Sequence, residues 1–150
     1  EISKNDHVLD AYCGVGTISL FAAKYAKQVT GIDIVSDAIK DAQANADLNY
    51  IKNAIFKCVD ATTYMKDTKD LYDIVIVDPP RDGLQQPFIS ALKVMKPKKF
   101  VYISCEPSSL ARDLKQLKDM YQVKKVTPVD MFSQTYHVET VTLLTLKDDL

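Results

Sequence analysis

Short apolar runs alternate with stretches of helical spacing along almost the whole chain, and this alternation limits the possible folds more than any other feature. The run Ile74–Val77 is unbroken, as is typical of strands that are buried on both faces of a parallel sheet. Predicted strands occupy residues 7–11, 28–34, 53–59, 72–77, 99–104, 123–128 and 137–146, and predicted helices occupy 16–26, 36–48, 87–95 and 110–120. Because strands and helices alternate through short connections, the sequence predicts an α/β fold with a Rossmann-like, mostly parallel seven-stranded sheet.

The end of the chain departs from this alternation, since the last two predicted strands follow each other without a helix between them. We therefore expect an antiparallel last strand. A length of 150 residues and a hydrophobic fraction of 47% suit one globular domain over residues 1–150. The first residue is Glu1 rather than Met, so we interpret this domain as the C-terminal fragment of a longer protein.

The charge and cysteine content narrow the class of protein. Lys and Arg together number 19 against 20 Asp and Glu, which argues against a dedicated polyanion binder but leaves open an enzyme that holds nucleic acid partly through another domain. Cys13, Cys58 and Cys105 are widely spaced without a C-x-x-C pair, which favours a reducing compartment over a disulfide framework or a zinc site. No apolar run is long enough to span a membrane. We expect a cytoplasmic, monomeric protein with no metal site in this chain and no membrane contact.

Ligands of an open α/β sheet bind beyond the carboxyl ends of its strands, so the residues at these ends are candidate binding residues. The loop after the first strand, D-A-Y-C-G-V-G-T-I-S from residue 10, carries Gly14 and Gly16 but has Ser19 where a dinucleotide-binding motif has a third glycine. Asp10 adds negative charge close to where a diphosphate would have to sit. This arrangement favours a cationic cofactor with an amino acid tail, such as S-adenosylmethionine, over a dinucleotide.

Three further aspartates, Asp33, Asp60 and Asp78, stand at the ends of the second, third and fourth predicted strands. Asp33 could accept hydrogen bonds from both ribose hydroxyls, and Asp60 from an adenine amino group. The alternative for each aspartate is a turn or helix-capping role. Asp78 opens the element D-P-P-R, which resembles the D/N-P-P-[YF] element of amino-group methyltransferases except that Arg81 replaces the aromatic residue. Since Arg offers forked donors to a carboxylate, a phosphate or a base edge, Arg81 is a candidate substrate-binding residue.

Cys105 stands where the fifth predicted strand ends and a helix is about to begin. Free cysteine is among the most buried residue types, so a structural role is one interpretation. The other interpretation is a nucleophile, because Pro107 with Ser108 or Ser109 as cap would start a helix whose N-terminus lowers the pKa of a nearby thiol. Of the three cysteines, Cys105 is the one that we favour as a nucleophile.

Five segments together resemble the catalytic domain of the RNA uracil-C5 methyltransferases, which make 5-methyluridine in transfer and ribosomal RNA. They occur in the order of that family and span nearly all of the chain: L-D-A-Y-C-G-V-G-T (9–17), G-I-D (31–33), V-D-P-P-R (77–81), S-C-E-P-S-S-L-A-R-D (104–113) and D-M-F-S-Q-T-Y-H-V-E-T-V (130–141). The resemblance implies an S-adenosylmethionine-dependent methyltransferase fold and an RNA substrate, for which we favour 23S ribosomal RNA over transfer RNA.

The resemblance also implies roles for individual residues. Cys105 matches the nucleophile and Glu139 the general base. Contacts to S-adenosylmethionine are implied for Tyr12, Gly14, Gly16, Asp33, Asp60 and Asp78. The family often has Asn where this chain has Glu106, and we expect its carboxylate to point away from the thiol because a neighbouring negative charge opposes thiol ionisation. The family commonly carries further N-terminal domains, in many members with an iron–sulfur cluster, so any such cluster would lie outside this chain.

The implied reaction explains why these residue types are needed. Cys105 adds to uracil C6 and makes C5 nucleophilic toward a methyl group, and Glu139 then removes the C5 proton so that the thiol can leave. The target base must leave its stack to reach such a site. Three alternatives stay open: a cytosine-C5 or D-P-P-type amino methyltransferase, a nicotinamide-binding Rossmann domain, and a non-catalytic RNA-binding module.

Overall fold

The computed structural model describes residues 1–131, 133–135 and 138–147. Strands and helices alternate from β1 to α5, and two further strands, β6 and β7, follow without a helix between them. The elements are β1 His7–Ala11, α1 Thr17–Ala23, β2 Gln28–Asp33, α2 Ser36–Leu48, β3 Ala54–Cys58, α3 Ala61–Asp67, β4 Ile74–Val77, α4 Gln86–Met95, β5 Lys99–Ser104, α5 Pro107–Leu117, β6 Tyr121–Val129 and β7 Glu139–Leu146. No helix in this described part of the chain is long and apolar enough to cross a membrane.

The strands form one sheet in the order β3-β2-β1-β4-β5-β7-β6. Strands β1 to β5 are parallel to one another, whereas β7 runs antiparallel to both β5 and β6. This confirms the predicted α/β, Rossmann-like architecture with a mostly parallel seven-stranded sheet and an antiparallel last strand. Because β7 is antiparallel, it begins at the edge of the sheet where β1 to β5 end. The strand order reverses between β1 and β4, which is where an open α/β sheet leaves a crevice for a ligand.

Helices cover both faces of the sheet, which explains the unbroken apolar run in β4. Ile74 and Ile76 belong to one buried cluster, while Val75 and Val77 belong to the cluster on the opposite face. Helix α1 contributes buried alanines to the first cluster, and α3, α4 and α5 contribute to the second. A strand residue at the centre of the sheet is therefore buried whichever way its side chain points, and the strand ends are held on a rigid base.

The structure contains a helix, α3, in a segment for which the sequence predicts none. Its seven residues are too few to show a helical repeat and too few for a stable isolated helix. Asp60 caps it by accepting a hydrogen bond from Thr63 N at 2.8 Å, and Tyr64 and Met65 are buried in the core. Capping and tertiary burial thus stabilise a helix that local propensity does not reveal.

The other differences concern boundaries. Helix α1 ends at Ala23 rather than at residue 26, and α5 covers Pro107–Leu117 rather than 110–120. Helix α5 begins earlier because Glu106 is its cap and Pro107 takes the first helical position, where the fixed φ of proline suits a helix. Strand β7 begins at Glu139, and the predicted strand start at His137 lies outside the described residues.

Candidate active site

The loop after β1 is tied to the end of β2 by main-chain hydrogen bonds. The N–H groups of Tyr12 and Cys13 both donate to the Ile32 carbonyl, at 3.0 and 2.9 Å. Tyr12, Gly14 and Gly16 have positive φ values of 77°, 53° and 86°. These left-handed residues turn the chain sharply, so the loop stays at the carboxyl edge of the sheet before α1 begins.

The two glycines of this loop have different surroundings. A Cβ added at Gly14 would meet nothing within 4 Å, so the space beside it is open. A Cβ added at Gly16 would lie 3.0 Å from Ala42 Cβ and 3.1 Å from two ring carbons of Phe56. Gly14 therefore presents bare main chain to a ligand, whereas Gly16 allows the start of α1 to pack closely on α2 and β3.

Asp33 ends β2 with its carboxylate held by two main-chain donors. Oδ2 accepts from Gly14 N at 2.9 Å, and Oδ1 accepts from Val35 N at 2.9 Å. These bonds fix the carboxylate beside the glycine turn, and each oxygen keeps a second lone pair. Asp33 can therefore also accept from a vicinal diol such as that of a ribose.

Asp60 and Tyr12 lie close together at the same edge. Asp60 has the helix-capping role, since its Oδ1 accepts from both N and Oγ1 of Thr63, while Oδ2 takes no part in these bonds. Burial raises the pKa of Tyr12 to about 12, and the negative charge of Asp60 adds to this rise. The Tyr12 ring packs against Phe88 with ring centroids 5.8 Å apart. An aromatic ring and a carboxylate thus stand near Asp33, a combination that suits a nucleoside.

Asp10, which the sequence places beside the loop as an added charge, is completely buried. Ser19 Oγ donates to Asp10 Oδ2 at 2.6 Å, whereas Oδ1 is buried with no hydrogen-bond partner among the described residues. Burial raises the pKa of Asp10 to about 6; the Ser19 hydrogen bond opposes this rise, and the charges of Asp78 and Asp33 add to it. The structure corrects the expectation in this respect: Asp10 lies beneath the loop, so its charge reaches a ligand only through the protein.

Asp78, Cys105 and Glu139 come together in the other half of this edge. Asp78 directly follows β4, and Cys105 directly follows its parallel neighbour β5. Ser104 pairs with Thr140 in the antiparallel register of β5 and β7, so Cys105 and Glu139 stand next in line. Burial raises the pKa of Asp78, and the negative charge of Glu139 raises it further, which places these two carboxylates within electrostatic range. One thiol and two carboxylates therefore share one end of three adjacent strands.

A hydrogen-bonded turn holds Cys105 between its neighbours. Ser104 Oγ donates to the Glu106 carbonyl at 3.0 Å and accepts from Glu106 N at 3.1 Å. The Glu106 carboxylate caps α5, since its Oε1 accepts from N and Oγ of Ser108. The cap is thus Glu106 rather than the predicted Ser108 or Ser109, and the Ser109 hydroxyl instead donates to the Glu106 carbonyl. Cys105 itself is half-buried, so a ligand at the strand end can reach it.

The other two cysteines lack this placement. Cys13 is buried, and its pKa is raised to about 12 by burial and, to a smaller extent, by the charges of Asp10 and Asp33. Cys58 is exposed in the edge strand β3, and three strands stand between β3 and β5. Cys13 therefore stays a neutral thiol near neutral pH, and Cys58 is remote from the carboxylates Asp78 and Glu139.

Arg81 is exposed in a turn that Gly83 closes by donating its N–H to the Pro80 carbonyl at 2.8 Å. This turn follows Asp78, so Arg81 belongs to the same half of the edge as Cys105. A residue that the sequence-based reasoning missed contacts this loop: Asp113 of α5 accepts from Leu84 N at 2.7 Å. The one sequence signal for Asp113 is its position at the end of the segment that begins with Ser104 and Cys105.

The side chains around the glycine turn suit an extended organic ligand. The described residues contain no group of three or more His, Cys, Asp or Glu side chains placed to hold a metal ion. Asp33, Asp60 and Asp78 are instead spread over successive strand ends, with Asp10 beneath them. Such spaced acceptors fit a ligand that carries hydroxyl groups, amino groups and a positive charge.

Comparisons with known proteins bear on the family of the chain. The family model described as tRNA (uracil-5-)-methyltransferase matches residues 1–147. An uncharacterized RNA methyltransferase of Oceanobacillus iheyensis is 50% identical over 150 residues, which cover 97% of this chain and 33% of that protein. Another, from Listeria innocua, is 48% identical over 151 residues, which cover 98% of this chain and 33% of that protein. The chain thus spans about one third of the length of these relatives.

Solved structures share the fold. The crystal structure of the Pyrococcus abyssi tRNA (uracil-54, C5)-methyltransferase in complex with S-adenosyl-L-homocysteine has a TM-score of 0.84 and 36% identity, covering 95% of this chain and 35% of that one. A putative methyltransferase of Streptococcus mutans in complex with SAH has a TM-score of 0.73 at 16% identity, covering 97% and 90%, and supports the fold alone. Since the family model covers almost the whole sequence, the chain belongs to the tRNA (uracil-5-)-methyltransferase family.

Proposed function

We propose that this chain is the catalytic domain of an S-adenosylmethionine-dependent RNA uracil-C5 methyltransferase. The observation that carries the proposal is the meeting of Cys105, Asp78 and Glu139 at the ends of three adjacent strands, beside the glycine turn. A thiol nucleophile and a carboxylate base are the groups that this chemistry requires. Family membership favours this reaction over the cytosine-C5, amino-methylating, nicotinamide-binding and non-catalytic alternatives.

The nucleoside end of the cofactor fits the first half of the edge. S-adenosylmethionine supplies the methyl group as a sulfonium electrophile when it is bound. Asp33 would accept from the ribose hydroxyls, Asp60 from the adenine amino group, and Tyr12 would pack against the adenosine. The open space beside Gly14 would let the ligand approach the main chain, and Gly16 would support the turn through its close packing.

The charge of the site also favours this cofactor. Asp33 and Asp78 stand at the strand ends, and their charges reach Asp10 beneath the loop and raise its pKa. A cation relieves the repulsion within such a group, whereas a diphosphate would add to it. The demethylated cofactor in the two solved structures described above is consistent with this choice.

The protein's own chemical steps would be two. The Cys105 thiolate forms a bond to uracil C6, and the electrons of the C5–C6 double bond shift to C5 and the C4 carbonyl, so that C5 can take the methyl group. Glu139 then accepts the C5 proton, the electrons of that bond restore the C5–C6 double bond, and the Cys105–C6 bond breaks with return of the thiolate. Arg81, exposed in the turn after Asp78, would contact the RNA.

The identity of the RNA is a finer prediction. We keep 23S ribosomal RNA over transfer RNA as the proposed substrate, and methylation of unmodified transcripts of each decides between them. The preparation must have the length of the curated relatives, because the chain spans about one third of them. Gel filtration of that preparation tests the predicted monomer. The single domain over residues 1–150 and the cytoplasmic location stay predictions.

Replacing Glu139 with Gln tests the proposed division of roles. The Glu139→Gln enzyme should still add Cys105 to the base and transfer the methyl group, but it should stall before elimination. We expect a protein–RNA adduct that survives denaturing electrophoresis and contains the transferred methyl group. Turnover should fall roughly 10²–10⁴-fold, as is typical when a general base is removed.

The matched controls separate the two residues. Cys105→Ala and the double variant should form no adduct, whereas Cys58→Ala should behave like the wild type because Cys58 lies in the edge strand β3. Normal turnover of Glu139→Gln without an adduct would contradict the general-base role. Methylation by Cys105→Ala near the wild-type rate would contradict the nucleophile role.

A further inference from the structure

Asp113 on α5 is a completely buried carboxylate that joins three elements. Its Oδ2 accepts from Leu84 N at 2.7 Å and from the Tyr102 hydroxyl at 2.8 Å. Leu84 ends the loop that follows Asp78, and Tyr102 belongs to β5, three residues before Cys105. A single oxygen of Asp113 therefore connects the loop after β4 to the strand that carries the nucleophile.

Arg112 extends this connection to the middle of the loop. Its Nε lies 2.9 Å and its Nη2 2.8 Å from Asp113 Oδ1, and Nη2 also donates to the Asp82 carbonyl at 2.6 Å. Both carboxylate oxygens of Asp113 are thus engaged, and the buried charge is paired with a guanidinium. The pair Arg112–Asp113 holds the loop at two separate points, Asp82 and Leu84.

Gly83, which lies between these two points, has no room for a side chain. Its φ is +75°, and an added Cβ would lie 2.5 Å from Asp113 Oδ2 and 2.8 Å from Arg112 Nη2. The loop therefore presses directly against the Arg112–Asp113 pair. Arg81, two residues before Gly83, is exposed in this turn.

We propose that Asp113, together with Arg112, is a positioning residue that fixes the Asp78–Leu84 loop relative to Cys105. The proposal rests on the proposed function, because it assigns a catalytic purpose to a contact between the loop with Arg81 and the strand that ends at the nucleophile. Burial and the hydrogen bond to Asp113 both raise the pKa of the Tyr102 hydroxyl, so Tyr102 remains a donor to this carboxylate.

The expected consequence for catalysis follows from how strictly reacting groups must be placed. A displacement of about 1 Å, caused by a change remote from the reacting atoms, can cost roughly 10²-fold in rate. Asp78 and Arg81 belong to the held loop, whereas the cofactor residues Asp33 and Asp60 lie on other strand ends. Loss of the Asp113 contacts should therefore reduce methyl transfer by a larger factor than cofactor affinity, to which Asp78 of the held loop would contribute.

Limited trypsin digestion of the chain tests the positioning without requiring activity. Trypsin can cut between Arg81 and Asp82 only when this turn opens. We expect Asp113→Asn to be cut there at least about tenfold faster than the wild type. The partners of Asp113 are all hydrogen-bond donors, and an Asn amide offers them one neutral, weaker acceptor and an NH₂ group that is itself a donor. Arg112→Gln should show a smaller but selective increase, and exposed Asp119→Asn is the control with the same loss of charge and no expected change.

A second measurement uses protein of the length of the curated relatives. We expect kcat of Asp113→Asn to fall about 10²-fold, with a much smaller rise in the Kd for S-adenosylhomocysteine. If Asp113→Asn is cut throughout the chain, this variant has unfolded, and the Arg112→Gln variant is used instead because Arg112 is partly exposed. An Arg112→Gln protein without selective cutting after Arg81 would overturn the proposal. Unchanged cutting in both variants would overturn it as well. An inactive wild type would contradict the proposed function, and the trypsin result would then still decide whether Asp113 holds the loop.

Discussion

The two halves of the carboxyl edge of the sheet are built in different ways. The half at β1, β2 and β3 takes its polar residues from one continuous stretch between Tyr12 and Asp60, and each of them lies next to a strand end. The half at β4, β5 and β7 takes Asp78, Cys105 and Glu139 from positions that are far apart in the chain. The first half therefore consists of local loops on parallel strands, whereas the second is complete only once β7 pairs with β5.

The polar residues of the first half also stabilise the fold. Asp33 accepts two main-chain N–H groups, and Asp60 caps α3. A substitution at either position changes local structure as well as a ligand contact. In the second half, the proposed reaction takes place at the side-chain atoms of Cys105 and Glu139 themselves. Loss of chemistry in the second half is therefore a cleaner sign of direct participation than loss of binding in the first.

Asp10 lies beneath both halves, and its substitution should have the largest effect on stability. Because burial raises the pKa of Asp10 to about 6 from an ordinary value of 3.8, the folded protein keeps a proton that the unfolded chain releases between these values. The contribution of Asp10 to the free energy of unfolding is therefore greatest below about pH 4 and falls as the pH rises through about 6. The Asp10→Asn variant has a side chain at this position that cannot ionise. The free energy of unfolding of this variant should therefore rise relative to that of the wild type by on the order of 3 kcal/mol as the pH increases across this range.

Urea unfolding at about pH 4 and about pH 7 measures this change. The comparison between variant and wild type cancels the pH dependence of the carboxylates that are remote from Asp10. Exposed Asp37→Asn in α2 is the control and should show no such trend. A difference between Asp10→Asn and wild type that does not vary with pH would contradict the account of Asp10 as a buried carboxylate with a raised pKa.

Cofactor affinity should distinguish Asp33 in the first half from Cys105 in the second. Asp33→Ala should raise the Kd for S-adenosylhomocysteine roughly 10–100-fold, because a hydrogen bond to a charged group contributes about 1.5–3 kcal/mol. Cys105→Ala should leave this Kd unchanged while abolishing methyl transfer. Isothermal titration calorimetry with both variants, and with Asp37→Ala as an exposed control, measures the affinities.

The two variants are expected to lose different properties: Asp33→Ala loses cofactor affinity, and Cys105→Ala loses methyl transfer but keeps this affinity. Equal affinity of Asp33→Ala and the wild type would remove Asp33 from the cofactor site. A large loss of affinity in Cys105→Ala would mean that the two halves are not independent, and the boundary drawn between them at β1 and β4 would be wrong.

The two glycines of the first half should give the smallest effects, and these should differ in kind. Gly16→Ala should lower the free energy of unfolding by about 1–3 kcal/mol, because its Cβ would meet Ala42 and Phe56 and its φ is left-handed. Gly14→Ala should cost about 1 kcal/mol from its φ alone, but it should weaken S-adenosylhomocysteine binding because the new methyl group occupies the open space. Urea unfolding and calorimetry on both variants provide the measurements. Wild-type affinity in Gly14→Ala would contradict the use of that space by the cofactor.

The sequence by itself determined the architecture and the location of the first half. The unbroken run in β4, the change to two consecutive strands at the end and the aspartates at strand ends all predict features that depend on only a few neighbouring residues. Side-chain alternation, the tolerance of glycine for positive φ and the direction of parallel strands are local or nearly local properties, so they can be recognised without coordinates. Helix α3 is the exception, since its stability comes from the Asp60 cap and from burial of Tyr64 and Met65.

Only the tertiary structure decided which distant residues meet. Asp10 precedes the glycine loop in sequence, yet packing of the loop and α1 over β1 buries it. Asp113 contacts a loop residue 29 positions earlier, and Glu139 approaches Asp78 because β7 lies antiparallel to β5. The free energy behind these contacts comes from the burial and pairing of whole elements, which depend on residues throughout the chain. A local pattern of residues therefore names the candidates at each strand end, and the packing of the sheet selects those that share a site.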